Sequence, residues 1–286
     1  MSVQDIEQAY RIAISSQKGG VAKTTTCLSL GASLAEQGQR VLVVDLDPQA
    51  HLTQALAVDP EALRRTVGDV LLRQATLVEV SRESSVFNLD LVPSNRGLIL
   101  VERLLHTSKG YEYRLKTDLE AMNGQFYDVI LFDCPPSFGP LTINALTAAN
   151  LVIIPVTCDY FSAKSLSSYL NLVGIVRRNS NPLLEHRLLI TLFDRRVRTS
   201  ELFLEKFCQR YGSALFETII PIDSKLRESP LFGRPITQYA ARARGAQEYR
   251  ALASELATSL TQGGWRFGMD ATVLATELVT ELTQGS

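Results

Sequence analysis

The sequence is poor in the residues that build zinc sites and disulfide frameworks. It contains four cysteines and three histidines among 286 residues, and no two cysteines have the C-x-x-C spacing of a zinc site or a redox motif. The cysteines are Cys27, Cys134, Cys158 and Cys208, and the histidines are His51, His106 and His186. We therefore expect no zinc site, no histidine-based catalytic triad and no disulfides, and a reducing cytosol is the location that this composition favours.

Long apolar runs are also missing. No stretch approaches the roughly 20 apolar residues that span a bilayer, and the first residues, MSVQDIEQAYR, contain acids and lack an apolar signal core. The composition, 45% hydrophobic and 21% charged, is typical of a soluble globular protein with a sizeable core. We predict one large domain over residues 1–262 and a C-terminal helical extension over residues 263–286.

The formal net charge is −1, which argues against a protein coated in positive charge. The charge is nevertheless unevenly distributed: residues 177–250 contain 14 Lys or Arg and 8 Asp or Glu, a balance of +6 that leaves the remainder at −7. This segregation favours one basic face, the feature expected of a protein with a polyanionic partner. Ordinary solvated surface charge is the alternative.

Short apolar runs alternate with longer stretches of helical character. Most of these runs are continuously apolar, which indicates strands buried on both faces of a parallel sheet, and the stretches between them supply the crossover helices. The sequence therefore predicts an α/β fold with a doubly wound, mostly parallel sheet flanked by helices. The predicted strands are residues 11–16, 40–47, 89–94, 127–136, 150–157, 186–194 and 216–221. The predicted helices are residues 24–37, 61–74, 97–122, 140–149, 162–179, 199–211 and 245–261.

The first loop, QKGGVAKTTT, lacks both glycines of the usual phosphate-binding template. G-x-x-x-x-G-K-[ST] requires glycine at positions 17 and 22 when Lys23 is its lysine, but the chain has Gln17 and Ala22 there. Instead, two adjacent glycines follow an additional lysine, Lys18. The methyl group of Ala22 restricts positive φ, so the backbone must either avoid that region or accept strain.

The position of this loop, after the first strand and at the start of the first helix, predicts a phosphate site. Backbone N–H groups there point at phosphate oxygens, and the helix N-terminus adds its positive dipole. We expect Lys23 to supply a cation to the β- and γ-phosphates, the Thr24 hydroxyl to ligate magnesium, and Thr25 to bond the α-phosphate. A merely flexible turn would not need two lysines and three threonines. The predicted nucleotide-binding residues of this loop are Lys18, Gly19, Gly20, Val21, Ala22, Lys23, Thr24 and Thr25.

The segment KGGVAKTT resembles the deviant Walker A motif, K-G-G-x-x-K-[ST], of the ParA/MinD ATPases, and the resemblance extends over about residues 9–260. VVDLDPQAHLT is similar to the family's next motif, and ILFDCPPSFGPLTINALTAANLVIIPV to its Walker B strand and the segment after it. LFDRRVRTS and the segment from IPIDSKLRESP to ALASEL resemble the late segments of ParA proteins. The resemblance implies a P-loop NTPase fold, with ATP and Mg²⁺ as cofactors, and is closest to the small, Soj-like partition ATPases.

The resemblance also implies roles for the charged residues of these motifs. In the family's ATP-bound homodimers the signature lysine, here Lys18, reaches across to the partner's nucleotide, as an arginine finger supplied in trans does. Asp45 would orient the attacking water, and Asp133 would hold magnesium through a water ligand. Helix capping is the alternative for both acids, and Asp47 could shape the loop instead of touching the metal. The predicted catalytic residues are Lys18, Lys23 and Asp45, and the predicted metal residues are Thr24 and Asp133.

By the same resemblance, adenine lies between two late loops, residues 191–194 and 220–223. Pro221 would pack on the base, and Asp223 belongs to the same predicted site. Both loops follow predicted strands, and doubly wound sheets bind ligands at the carboxyl ends of their strands.

Basic residues cluster in three short segments, residues 194–198, 224–227 and 241–244. Such contacts to phosphates give sequence-independent, salt-sensitive DNA binding, which is what ParA proteins use on the nucleoid. No aromatic residues interleave these segments, so stacking on single strands is disfavoured. The expected DNA-binding residues are Arg195, Arg196, Arg198, Lys225 and Arg227. For any one of them, a role on the surface or at the nucleotide loop is the alternative.

The last segment separates two classes of relative, because MinD-like proteins end in a basic amphipathic helix. After the glycine break QGGW, a predicted helix carries Leu274, Leu278 and Leu282 on one stripe, but its charges are Glu277 and Glu281. Without Lys or Arg it is poorly suited to anionic lipid, so we expect no membrane anchor. Docking on the body of the chain or on a dimer partner is the alternative.

The sequence-based hypothesis is a slow ATPase that binds DNA nonspecifically as an ATP-bound sandwich dimer and is stimulated by DNA and a ParB-like or adaptor protein. It would position a plasmid, a chromosome, or a protein cargo such as carboxysomes or chemoreceptor clusters, and it would be cytoplasmic and nucleoid-associated. Only about ten residues precede the first strand, so we expect no N-terminal helix-turn-helix domain. A membrane-cycling MinD-like ATPase is one alternative. A metal-cluster or reductase relative is another, although Cys134 has no second cysteine nearby.

Overall fold

The computed structural model of the chain describes residues 9–122 and 126–261. Its centre is a sheet with the strand order β3-β4-β2-β5-β1-β6-β7. Every pairing in this order is parallel except that of β3 with β4, which is antiparallel. The strands are β1 (Tyr10–Ile14), β2 (Val41–Asp45), β3 (Arg82–Glu83), β4 (Leu89–Val92), β5 (Val129–Asp133), β6 (Leu151–Val156) and β7 (Glu185–Ile190). The predicted doubly wound, mostly parallel α/β sheet is therefore confirmed.

Helices cover both faces of the sheet, as the continuously apolar strands require. Along β2, Leu42 and Val44 belong to one buried apolar cluster and Val41 and Val43 to the other, so each face has a core of its own. The first helices are α1 (Lys23–Glu36), α2 (His51–Ala55), α3 (Val67–Leu71), α4 (Leu77–Val80), α5 (Leu98–His106) and α6 (Arg114–Ala121). The later helices are α7 (Pro140–Ala148), α8 (Tyr160–Asn179), α9 (Arg198–Tyr211), α10 (Ser224–Glu228), α11 (Ile236–Tyr239) and α12 (Arg244–Thr261).

Two predicted helices are shorter or interrupted in the structure. The helix predicted over residues 97–122 divides into α5 and α6 because Gly110 adopts a positive φ of 64° between them. The helix predicted over residues 61–74 is reduced to α3. Thr66 and Asp69 form a capping box that starts it late, and Arg73, with φ 60°, lies just beyond its end.

The strand predicted over residues 216–221 is wrong. Within that segment the structure has one isolated bridge, which joins Pro221 to Phe193 just beyond the edge strand β7. The N–H groups of Glu217 and Thr218 donate to the Glu255 carboxylate and not to β7, so no continuous ladder forms there. The helix predicted over residues 263–286 lies outside the described residues. None of the helices within residues 9–122 and 126–261 is both long and apolar enough to cross a membrane.

Candidate nucleotide site

The candidate site lies at the carboxyl ends of three adjacent strands. Strand β1 leads into the glycine-rich loop, β2 ends at Asp45, and β5 ends at Asp133. Asp45 and Asp133 are direct partners in the parallel register of β2 and β5, and Ile14 at the end of β1 is the partner of Asp133 on the other side. The fold therefore brings the predicted phosphate loop and both predicted strand-end carboxylates to one place.

The loop accepts the strain that Ala22 introduces. Ala22 is the N-cap of α1 with φ 65° and ψ 33°, the left-handed conformation, and its side chain makes no capping bond. Gly20 is also left-handed, with φ 74°. The loop is supported from β7, where the Thr191 hydroxyl donates to the Val21 carbonyl at 3.1 Å. An alanine thus occupies a backbone position that normally favours glycine.

Lys23 closes the loop on itself. Its side chain is buried, and its Nζ donates to the carbonyl oxygen of Lys18 at 3.1 Å. Burial lowers the pKa of Lys23, while the negative charges of Asp133 and Asp47 oppose that shift. The ammonium group is therefore held at the centre of the loop, among the backbone groups that would surround a bound phosphate.

Lys18 points away from its own loop. Its Nζ contacts both carboxylate oxygens of Asp159, at 2.9 and 2.8 Å, and lies 3.2 Å from Thr157 Oγ1 and 3.3 Å from Ser162 Oγ. Asp159 is the N-cap of α8, because its Oδ1 also accepts the N–H of Ser162 at 2.9 Å. The two lysines of the loop therefore contact different parts of the protein: Lys23 contacts the loop itself, and Lys18 contacts the start of α8. The pairing of Lys18 with Asp159 was not predicted from the sequence.

Asp45 and Asp133 form a pair of fully buried carboxylates. Burial raises the pKa of Asp45 to about 7, against the effect of hydrogen bonds from Thr53. Burial and the neighbouring charge of Asp45 raise the pKa of Asp133 well above its usual value. Neither oxygen of Asp133 has a hydrogen-bond partner among the described residues. Two buried acids of this kind favour a cation, and oxygen ligands suit Mg²⁺.

The remaining predicted residues of this region surround that pair. The Thr24 hydroxyl faces Asp133 closely enough to offset part of the rise in the pKa of that carboxyl. Asp47 Oδ1 accepts the N–H of Gln49 at 2.9 Å, and the Asp47 N–H donates to Asp45 Oδ1 at 3.1 Å. Asp47 thus takes part in the hydrogen bonds that shape the loop after β2.

The two loops predicted to hold adenine lie side by side. Phe193 N donates to Ile220 O and Ile222 N donates to Phe193 O, each at 3.1 Å. Both carboxylate oxygens of Asp223 accept backbone N–H groups at 2.8 Å, from Lys225 and Gly245. Asp223 therefore caps α10 and ties it to α12. Its contact with a nucleotide, like that of Pro221, stays a prediction.

The five predicted DNA-binding residues divide into paired and unpaired cations. Arg196 forms a fork on Asp194 at 2.9 and 2.8 Å, and Lys225 contacts Glu228 at 2.6 Å. The other three make no ion pair within the part of the chain that the structure describes; they are Arg195, Arg198 and Arg227. Because the two loops that precede α9 and α10 are bonded together, these helices start from neighbouring positions.

Comparison with known proteins identifies the family. Residues 9–186 match the family described as AAA domain. The sporulation initiation inhibitor protein Soj of Bacillus subtilis is 41% identical over 249 residues, which cover 87% of this chain and 98% of Soj. The chain belongs to the ParA/MinD family of P-loop ATPases. The chromosome partitioning protein ParA of Caulobacter vibrioides is 37% identical, over 86% of this chain and 92% of ParA.

Solved structures of similar proteins contain the expected cofactors. A Mycobacterium smegmatis protein described as cobyrinic acid a,c-diamide synthase, with bound ATP analogue and magnesium, is 37% identical with a TM-score of 0.77, over 89% of this chain and 97% of that one. A putative plasmid partition protein of Borrelia burgdorferi, bound to AMPPNP, is 25% identical with a TM-score of 0.72, over 88% and 99%. The resemblance to ParA/MinD ATPases and the prediction of ATP and Mg²⁺ are confirmed.

The supporting contacts of Thr53, Asp159 and Thr191 were not predicted, although Thr53 ends the quoted motif VVDLDPQAHLT and Thr191 begins the predicted adenine loop. Asp159 follows β6 as Asp45 ends β2, so the recurrence of an acid after a strand was a usable signal. Thr53 and Thr191 carry no comparable signal, because a threonine that bonds across the fold has no local pattern.

Proposed function

We propose that this P-loop ATPase forms an ATP-bound sandwich dimer, holds double-stranded DNA without sequence preference, and positions a cargo through a ParB-like or adaptor protein that stimulates slow hydrolysis. The single observation that supports the dimer best is the direction of Lys18. Its ammonium group bonds Asp159 at the rim of the site and makes no bond to its own loop. A cation in that place is available to a nucleotide held by a second subunit.

The chemistry of each subunit follows from its own residues. Lys23 and the backbone amides of the loop bind the phosphates, and the N-terminus of α1 adds a positive dipole. Thr24 and Asp133 hold Mg²⁺, which neutralises phosphate charge in the transition state. Asp45 accepts a hydrogen from the attacking water and orients it. Lys18 stabilises the charge that develops on the partner's nucleotide.

A pair of variants tests the dimer and the catalytic roles. Lys18→Gln should lose ATP-dependent dimerisation or hydrolysis, whereas Asp45→Ala should keep ATP binding and accumulate a dimer with little hydrolysis. Lys109→Gln removes an exposed lysine of the loop after α5 and is the matched control. Dimer content by light scattering and phosphate release, each with and without ATP, are the measurements. Wild-type turnover and dimer content in Lys18→Gln would remove the role in trans.

The DNA-binding role rests on three unpaired arginines: Arg195 just before α9, Arg198 at its start, and Arg227 in the last turn of α10. Exposed ion pairs contribute little, so the paired cations also stay available to phosphates. Alanine variants of Arg195, Arg198 and Arg227 should weaken binding to all duplexes alike and lower the salt slope by about 0.9 for each DNA phosphate that is no longer neutralised. Arg178→Ala, at an exposed position on α8, is the matched control. An unchanged salt slope in the triple variant would contradict the assignment.

Binding assays on DNA and on vesicles distinguish a partition ATPase from a membrane-cycling one. Retention on duplex DNA with ATP, and no sedimentation with anionic vesicles, supports a cytoplasmic protein that associates with the nucleoid. The reverse result supports the MinD-like alternative. The similarity to Soj and ParA favours a chromosome or plasmid as cargo, and the proteins that co-purify with the Asp45→Ala dimer would identify the partner.

A further inference from the structure

Asp45 has almost no freedom left in its site. Its Oδ2 accepts two hydrogen bonds from Thr53, from the N–H at 2.9 Å and from the hydroxyl at 2.7 Å. Its Oδ1 accepts the N–H of Asp47 at 3.1 Å. Asp45 and Thr53 have no solvent exposure, so water does not compete for these bonds. The carboxylate is therefore fixed in one rotation by protein donors alone.

These bonds leave one acceptor position unused. An ionised carboxylate has about four lone-pair sites, and the described residues occupy both sites on Oδ2 and one on Oδ1. The unused site is on Oδ1. A water molecule that gives a hydrogen to Asp45 must therefore bond Oδ1, since Thr53 has closed Oδ2.

Thr53 is itself fixed by the neighbouring strand. Its hydroxyl oxygen accepts the N–H of Ser94 at 3.0 Å, just beyond β4, while its hydrogen goes to Asp45. The Ser94 hydroxyl in turn donates to the carbonyl of Asp47 at 2.8 Å. A closed ring of bonds thus joins the ends of β2 and β4 to α2. Because the Thr53 hydroxyl both donates and accepts, its hydrogen has a single direction.

We propose that Thr53 is a positioning residue for ATP hydrolysis, which closes Oδ2 of Asp45 and presents Oδ1 to the attacking water. The inference rests on the proposed role of Asp45. It adds that the orientation of this carboxylate is imposed from α2 and β4, outside the phosphate loop. Rotation of a carboxylate about its Cβ–Cγ bond is broad and weakly restrained, so without Thr53 the plane of the carboxylate would turn and displace the oxygen that faces the water. A misplacement of about 1 Å is enough to cost on the order of 10²-fold in rate.

A graded series of substitutions tests this role. Thr53→Val keeps the shape and the N–H bond but removes the hydroxyl, Thr53→Cys leaves a weak donor, and Thr53→Ser keeps a full one. We expect kcat to fall about 10- to 100-fold in Thr53→Val, by an intermediate factor in Thr53→Cys, and less than about threefold in Thr53→Ser. The KM for ATP should stay within about twofold, because Thr53 does not touch the phosphates. ATP-dependent dimer should accumulate in Thr53→Val, as in Asp45→Ala.

A control separates this role from a loss of buried hydrogen bonding. Thr147 on α7 is another buried threonine, and its hydroxyl bonds the Ser180 hydroxyl at 2.9 Å. The variant Thr147→Val removes that hydroxyl, and its ATP turnover should match that of the wild type. If Thr53→Val does not fold, the Cys and Ser variants still give the gradient. Wild-type kcat in Thr53→Val, equal losses in the Ser and Val variants, or a rise in KM that accounts for the loss would each overturn the proposal. Unimpaired hydrolysis in Asp45→Ala would instead remove the proposed role of Asp45.

Discussion

Replacing the left-handed Ala22 of the phosphate loop by glycine should change the free energy of unfolding, and three terms decide the direction of that change. Ala22 has φ 65° at the start of α1, and its side chain is half-buried. A left-handed conformation costs a residue with a Cβ about 1–2 kcal/mol, and glycine avoids that cost. Glycine also lowers the stability of the folded protein by about 0.4–1 kcal/mol, because it gives the unfolded chain more entropy. Losing half of a buried methyl group removes about 0.4 kcal/mol more.

The three terms leave Ala22→Gly more stable than the wild type by about 0.5 kcal/mol, which corresponds to a rise in Tm of about 1–2 °C for a domain of this size. The assay is thermal unfolding without nucleotide, because bound ATP would raise the apparent stability by mass action. ATP turnover should be retained, since the methyl group of Ala22 donates no hydrogen bond.

Two further variants test the reasoning on the same protein. Ala50 is also a left-handed N-cap, with φ 55°, but it is fully buried. In Ala50→Gly the loss of a whole methyl group, about 0.8 kcal/mol, cancels the gain, so Tm should not move. Ala22→Val places a β-branched side chain at positive φ and should lose more than about 1 kcal/mol. A lower Tm in Ala22→Gly, or a higher one in Ala22→Val, would refute the reasoning.

Three other predictions follow from single contacts. Asp159→Asn keeps the cap of α8 but removes the charge that holds Lys18, so the ATP concentration needed for half-maximal dimer, measured by light scattering, should fall up to about fivefold. A Cβ at Gly139 would come within 2.0 Å of Glu102 Oε1, but that atom is the end of a flexible, partly exposed side chain that can turn away, so Gly139→Ala should lose no more than about 1 kcal/mol in thermal unfolding. His186 accepts an arginine N–H at 2.9 Å, and burial lowers its pKa to about 4. Its unfolded form binds a proton below about pH 6.5, so His186 should lower the free energy of unfolding by up to about 3 kcal/mol between pH 6.5 and 4. The measurement is the difference in pH slope between the wild type and His186→Gln, because the raised pKa values of Asp45 and Asp133 act in the opposite direction in both proteins.

A different experimental result would contradict each of these three predictions. Unchanged ATP dependence of dimer formation in Asp159→Asn would show that the contact with Lys18 does not restrain it. A loss well above about 1 kcal/mol in Gly139→Ala would show that the Glu102 side chain cannot turn away. The same pH slope in His186→Gln and in the wild type would assign the acid sensitivity to other groups.

The sheet could be predicted because its strands carry their own signal. A continuously apolar run such as VLVVD has the composition of a strand buried on both faces, whatever its neighbours are. The segment ending at Pro221 has the same composition, but the N–H groups of Glu217 and Thr218 donate to Glu255 on α12 and not to the edge strand β7. The break at Gly110 and the late start of α3 at Thr66 also depend on single residues, which weigh little in a pattern read over a whole helix.

The site was predictable to the extent that its chemistry lies in contiguous motifs. The lysines and threonines of the phosphate loop, and the acids that end β2 and β5, occur beside apolar runs that fix where they lie. The contact of Lys18 with Asp159 joins residues 141 positions apart, and only the order of β1 and β6 in the sheet brings them together. The bond from Thr53 to Asp45 spans eight positions, but it requires the left-handed turn at Ala50 that starts α2.

Burial explains why the acids of this site act together. In the sequence, Asp45 and Asp133 are ordinary strand-end carboxylates, each suited to cap a helix. The parallel register makes them neighbours, and the packing removes both from water, so each raises the free energy of the other's charge. Three protein donors bond Asp45 and leave one acceptor position on its Oδ1, whereas neither oxygen of Asp133 has a hydrogen-bond partner among the described residues. The same pair thus separates into an acid held by protein donors and an acid left for a cation, and Thr53, the last residue of the motif VVDLDPQAHLT, supplies two of the three bonds that make this difference.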